Sequence, residues 1–175
     1  MTQSGTVDDR RSESALLIDL DEIDLGGSVA DREAIGRLNP HRHEMALLDD
    51  IVWISDDMTA AVARHRCSAD AFWVRGHFPG MPLMPGVLQV EAGAQLACYI
   101  WNKQQPVPRL AAFLRLDNAA FRRSVVPGDE LFILCRRVKL SRRRFISDVQ
   151  GVVNGQVAFE ARVNGMMLEQ EHKVD

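Results

Sequence analysis

Pro85-Gly86-Val87-Leu88-Gln89-Val90-Glu91-Ala92-Gly93-Ala94-Gln95-Leu96-Ala97-Cys98-Tyr99-Ile100-Trp101-Asn102 opens on residues suited to a helix start and then runs almost without a polar stripe. A helix apolar on nearly every side is buried, not laid on a surface. The rest of the chain supplies its cover. After Pro106-Val107-Pro108 the pattern reads as strands over Leu110–Leu116, Ala119–Val125, Glu130–Leu140, Phe145–Val153 and Gln156–Leu168. Pro127-Gly128-Asp129 and Asn154-Gly155 are turn chemistry, and Asn-Gly between apolar runs marks a tight hairpin. Upstream, Asp31–Leu38 reads as a short helix capped by Ser28 or Asp31 and ended before Pro40. Leu47–Ser55 and Thr59–Cys67 read as strands flanking Ser55-Asp56-Asp57. The expected class is α+β, a curved antiparallel sheet wrapped around one long helix.

The 175 residues, 46% hydrophobic and 26% charged, suit a single domain with a sizeable core. Residues 1–14 are polar and poor in apolar side chains, so a flexible acidic tail is expected, followed by one domain over 15–170 and a short tail over 171–175. Cys67, Cys98 and Cys135 are odd in number and widely spaced, which points to a reducing compartment. No apolar run approaches 18 residues, and the N-terminus is acidic where a secretory signal is basic. A cytoplasmic protein without membrane insertion is expected.

Charge is unevenly divided beneath the net −3. Residues 1–33 carry nine acids against three arginines, or −6. From Arg109 to Arg144, ten bases meet only Asp117, Asp129 and Glu130, or +7. Such bases are either the solvated faces of strands or a landing patch for an acidic partner. A nucleic acid is disfavoured, because the arginines lack interleaved aromatics beyond Phe145.

The chemistry-bearing residues precede and enter the helix. His77 lies in a loop stiffened by Pro79, Pro82 and Pro85; Gly86 stands at the helix start; Glu91 is the lone carboxylate in the apolar run. They offer a base, an amide donor and an acid, a set suited to eliminating water beside a thioester carbonyl. Apolar surroundings would keep Glu91 protonated, ready to donate. A lone loop histidine is more often structural, and Gly86 could serve only a tight turn; the combination argues for catalysis. Gly86 and Glu91 are five residues apart, about 7.5 Å along the axis and about 140° around it. One helix therefore cannot easily aim both at one small substrate, whereas a two-fold dimer can. Gln95, one turn beyond Glu91, could orient the carboxyl group. His41, His43, His65, Cys67 and Cys135 match no metal-site spacing, so no metal is expected. Met81, Leu83 and Met84, with Phe72 and Trp73, read as core or tunnel wall.

His77-Phe78-Pro79-Gly80-x-Pro82-x-x-Pro85-Gly86-Val87-Leu88-x-x-Glu91-Ala92-x-Ala94-Gln95 closely resembles the active-site signature of the (3R)-hydroxyacyl-[acyl-carrier-protein] dehydratases of FabZ type. Leu38-Asn39-Pro40-His41-Arg42 resembles the family's N-terminal Leu-Pro-His-Arg, and Phe121-Arg122-Arg123-Ser124-Val125-Val126-Pro127-Gly128-Asp129 its Phe-Arg-Arg-Pro-Val-Val-Pro-Gly-Asp. The likeness runs from about residue 17 to 168. It departs at His43-Glu44-Met45 for Tyr-Pro-Phe, Asp49-Asp50 for Asp-Arg, Arg75 for Gln, Asn118 for Lys and Ser124 for Pro.

The resemblance implies a hot-dog fold, assembled as a homodimer or a trimer of dimers with each site shared between subunits. It implies dehydration of 3-hydroxyacyl chains, borne on the phosphopantetheine of acyl carrier protein, to trans-2-enoyl chains in type II fatty-acid biosynthesis, with no cofactor. His77 would be the base, Glu91 the acid, Gly86 the donor to the thioester carbonyl and Gln95 a support. Phe78, Met81, Leu83 and Met84 become candidate tunnel residues, and Arg122, Arg123 and Arg137 candidate docking residues. The related dehydratase/isomerase commonly has Asp where Glu91 stands, which favours plain dehydration. A hot-dog thioesterase and an inactive partner subunit that binds acyl carrier protein are the alternatives.

Overall fold

The computed structural model describes residues 15–171, with side chains to residue 169. The expected tails lie outside the described residues, apart from the backbone of Glu171. The elements in order are β1 (Ala30–Asp31), α1 (Arg32–Gly36), a 3-10 turn (His43–Met45), β2 (Asp50–Ile54), β3 (Ala60–Arg66), α2 (Gly86–Lys103), β4 (Arg109–Phe121), β5 (Glu130–Leu140), β6 (Arg144–Val153) and β7 (Gln156–Glu171). The strands form one sheet, ordered β1-β2-β3-β5-β6-β7-β4, with every neighbouring pair antiparallel. Its inner face wraps α2, the hot-dog arrangement.

The helix is held close to the sheet. A Cβ on Gly93 would lie 2.8 Å from Val149 Cγ2, so glycine lets the α2 backbone press against β6. Leu96, Trp101, Ile133 and Phe159 fill the core around it. At the other end of the chain, Asp31 caps α1 by accepting a 2.8 Å hydrogen bond from the Ala34 amide.

The sheet is apolar on its outer face too. Val52, Val62, Leu134 and Val152 are buried there beneath a strap carrying Leu16, Leu17, Ile18, Leu20, Ile23 and Leu25. Polar groups stitch it down: the Leu17 amide donates to Gln150 Oε1 at 2.8 Å, and Arg64 Nη1 donates to the Leu25 carbonyl at 3.1 Å. Arg64 also holds Asp50 in a buried ion pair at 2.9 Å. That pair gives Asp50, one of the departures from the resembling pattern, a structural role.

Between α2 and β5 the structure differs from the expected strands. Leu110–Leu116 and Ala119–Val125 are not two strands but the single β4, which ends at Phe121. Asn118 adopts φ 53°, and the register against β7 shifts between Asp117 and Ala120. The Asp-Asn pair is thus absorbed as a bulge inside one long strand.

Candidate active site

The loop before α2 immobilises His77. Its amide donates to the Trp73 carbonyl at 2.8 Å, and its carbonyl accepts from the Leu83 amide at 2.7 Å. The ring answers with a 2.9 Å bond from Nδ1 to the Leu83 carbonyl. A carbonyl can only accept, so Nδ1 carries the hydrogen and Nε2 is the basic nitrogen of the neutral ring. Phe78 stacks on the imidazole with centroids 4.2 Å apart, and the His77–Phe78 peptide is cis.

Gly86 is the first residue of α2, where helix amides lack intrahelical acceptors and the macrodipole is positive. A Cβ there would sit 2.6 Å from the Phe121 ring, so any larger residue would have to push that ring aside. The helix is less enclosed than its composition implies. Val87 is 75% exposed, while Glu91 and Ala94 are half-buried, an open stripe at helical spacing on its first half.

Glu91 is held through one oxygen. Gln95 Nε2 donates to Oε1 at 2.9 Å, and His41 Nε2 lies 3.2 Å from the same atom. Gln95 is itself buried and fully engaged: Nε2 also donates to the Met45 carbonyl at 2.8 Å, and Oε1 accepts from the Leu47 amide at 3.1 Å. Burial pushes the Glu91 carboxyl up, but the bonds from His41 and Gln95 outweigh it, leaving it below the ordinary value. Within one chain, then, Glu91 is not kept protonated by an apolar shell, as its sequence neighbours suggest.

Beside Glu91 lies a cavity of about 60 Å³ between α2 and the sheet, walled by Ala111, Phe113, Phe145 and Val163 with Asn164 at one side. The sequence-named tunnel residues are elsewhere. Phe78 and Met81 are exposed on the loop, Leu83 is half-buried, and Met84 is in the core, its amide bonded to the Val125 carbonyl at 2.8 Å. The named arginines have partners within the chain: Arg122 pairs with Glu160, Arg123 donates to Gln156, and Arg137 donates to Gln104 at 3.0 Å.

One chain brings His77 to Leu83 and Phe78, and Glu91 to Gln95 and His41; these are two separate groups of contacts. His41 is the neighbour of Glu91 to which sequence reading attached no role. It lies 50 residues away, and spacing carries no trace of the contact.

The FabA-like domain family matches residues 39–162. A 3-hydroxyacyl-[acyl-carrier-protein] dehydratase FabZ of Sinorhizobium fredii (strain NBRC 101917 / NGR234) is 37% identical over 145 residues, covering 81% of this chain and 92% of its own. Among solved structures, the dehydratase heterocomplex ApeI:P from Xenorhabdus doucetiae aligns with TM-score 0.68 and 17% identity over 78% of this chain and 91% of that one. A hypothetical thioesterase with coenzyme A from Streptococcus pneumoniae TIGR4 aligns with TM-score 0.54 and 13% identity, over 70% and 88%. At such identities the structures speak for the hot-dog fold alone. The family match spans most of the described domain and includes the loop, the helix start and the carboxyl-bearing turn, so the chain belongs to the FabZ-type dehydratase family and is a hydro-lyase.

Proposed function

We propose that this protein dehydrates (3R)-3-hydroxyacyl chains carried on acyl carrier protein to trans-2-enoyl chains, in type II fatty-acid biosynthesis. The observation that carries the reading is the ring-locked His77 ahead of α2, in a chain whose helix also bears Glu91 on its open stripe. His77 Nε2 takes the C2 proton, the Gly86 amide stabilises charge on the thioester oxygen, and Glu91 protonates the C3 hydroxyl as it leaves as water. The C2–C3 double bond forms and no redox partner is called for. Gln95 orients Glu91, and the apolar cavity behind it takes the acyl tail.

The active unit is a homodimer. β4 closes one edge of the sheet and exposes Phe113, Leu114, Leu116 and Phe121, while Val87 lies bare on α2. An edge strand with apolar side chains is a surface built to be covered. A second copy there brings its His77 and Gly86 toward Glu91 of the first, and desolvates that carboxyl further, which favours its protonated form. Trimers of such dimers are the larger assembly. Arg122 and Arg123 follow directly after Phe121, whose ring covers Gly86, and with Arg137 they supply positive charge for the acidic carrier. The buried, unpaired Cys67, Cys98 and Cys135 suit a cytoplasmic setting.

His77→Ala and Glu91→Gln should each lower turnover of 3-hydroxyacyl carrier protein by roughly 10²–10⁴-fold, followed by the ultraviolet absorbance of the enoyl thioester. Unchanged turnover in either variant removes the assignment. Mixing the two inactive variants should restore part of the activity if sites are shared across the dimer, and none otherwise.

A further inference from the structure

His41 takes no part in the proton transfers of the proposed reaction, yet it contacts the acid and lines the cavity beside it. Its Nε2 lies 3.2 Å from Glu91 Oε1, the oxygen that also takes the Gln95 bond. Among the described residues both contacts fall on Oε1, which leaves Oε2 as the oxygen that can turn to the substrate.

The Glu91 side sets the tautomer: Oε1 is an acceptor that already takes the Gln95 bond, so Nε2 carries the ring hydrogen. His41 Nδ1 is buried without a protein partner, and so is Asn39 Oδ1. Asn39 Nδ2 donates to the Gln95 carbonyl at 2.8 Å, so its amide orientation is settled and Oδ1 is an acceptor awaiting a donor. Asn39 and His41 both line a small pocket of about 20 Å³, shared with Arg32, Ile35, Gly36 and Gln95. That volume holds one water, and a water has two hydrogens to give. One to Asn39 Oδ1 and one to His41 Nδ1 satisfies both orphans and is compatible with the ring hydrogen on Nε2, pointing at Glu91.

We propose that His41 is a positioning residue of the dehydration: carrying its hydrogen on Nε2 and bound at Nδ1 by a buried water shared with Asn39, it donates to Glu91 Oε1, aims Oε2 at the substrate and stabilises the carboxylate formed when the proton leaves. The inference rests on the reading of Glu91 as the acid. Around the pair the charged surroundings are sparse. Among the described residues α2 presents Ala94, Gln95 and the titratable Cys98; β4, β6 and β7 present Ala111, Ala112, Phe113, Phe145, Val163, Asn164 and Gly165; Arg32 of α1 lines the water cavity and is paired with Asp49 at 2.5 Å. The hydrogen bond from His41 is therefore the main influence on Glu91 besides Gln95 and burial.

The sign follows. A donor to the charged form lowers a carboxyl pKa, so removing it lets Glu91 stay protonated to higher pH. His41→Leu should lower kcat by about 10- to 100-fold, leave KM for the acyl carrier substrate nearly unchanged, and move the alkaline limb of the kcat profile to higher pH. His41→Gln retains an N–H donor and should recover much of the loss. A fall in kcat with the alkaline limb unmoved and no recovery in the glutamine variant overturns the proposal. The tautomer is read separately, in the wild-type full chain labelled with 15N-histidine and assigned with His41→Gln. An unprotonated Nδ1 with a protonated Nε2 is expected, and the reverse overturns the inference. Because that spectrum needs no turnover, inactivity of the wild type on hydroxyacyl substrates would sink the dehydratase reading without touching the histidine geometry.

Discussion

His65 shows what one buried ring does to pH dependence. It is 8% exposed, its Nδ1 donates to the Leu47 carbonyl at 2.6 Å, and its Nε2 has no partner among the described residues. Burial pushes its pKa below the usual 6.5, with the Leu47 bond and Asp49 pulling weakly the other way. The unfolded chain then binds the proton more readily than the folded one. Stability from this residue is present above about pH 6.5 and is lost as pH falls below it. Thermal melts of wild type and His65→Gln across that range should converge toward acid as the wild type loses its advantage; parallel curves would contradict the burial argument. Gly93 is a second single-residue test. An added Cβ meets the side chain of Val149, itself 1% exposed, at 2.8 Å, so Gly93→Ala should cost about 1–3 kcal/mol. At 2–4 °C per kcal/mol the melting temperature should fall by roughly 2–12 °C.

Among the elements, α2 is the most legible in the sequence. Its apolar run predicts Pro85–Asn102 and the helix spans Gly86–Lys103, because a start fixed by proline and an uninterrupted apolar pattern leave little to tertiary context. The strands over Glu130–Leu140 and Gln156 onward are equally plain, since Asn154-Gly155 sets the hairpin. β4 differs from the two strands expected because Asp-Asn carries the same composition whether it turns a chain or bulges within it. The strap over residues 16–25 carries only short apolar–acidic alternations, Ile18-Asp19-Leu20 and Ile23-Asp24-Leu25, which do not say what they pack on. Its leucines pack on a sheet face defined only once β5 and β6 are folded, so no local pattern could reveal it. The site divides the same way. His77, Gly86, Glu91 and Gln95 sit on one continuous segment and can be named together, while His41 reaches Glu91 through tertiary packing alone. The strap also predicts an energy: Ile18→Ala, at 6% exposure, should destabilise by about 2 kcal/mol, because its exposed neighbours can partly close the gap. Chemical denaturation measures it, and a change below a few tenths would mean the strap contributes little.

For the whole molecule, the unfilled surface along β4 and the first half of α2 makes assembly the deciding variable. Val87 touches little in one chain, so Val87→Asp should leave the melting profile of a monomer unchanged while shifting the protein from dimer to monomer in analytical ultracentrifugation, with loss of turnover. A variant that stays dimeric and active would place the subunit contact elsewhere. Arg123→Glu should raise KM for the carrier-linked substrate more than for a short thioester analogue, since steering acts on the partner's charge and not on the acyl chain. Equal effects on both would take the arginine out of carrier docking.

The strap carries a consequence for biosynthesis. Leu17 bonds Gln150, 133 residues further along, so this part of the strap can settle only after β6 has been made. Until then the outer valines and leucines of the half-built sheet face solvent uncovered, and a nascent chain stalled before residue 150 offers a chaperone two sticky surfaces in place of one.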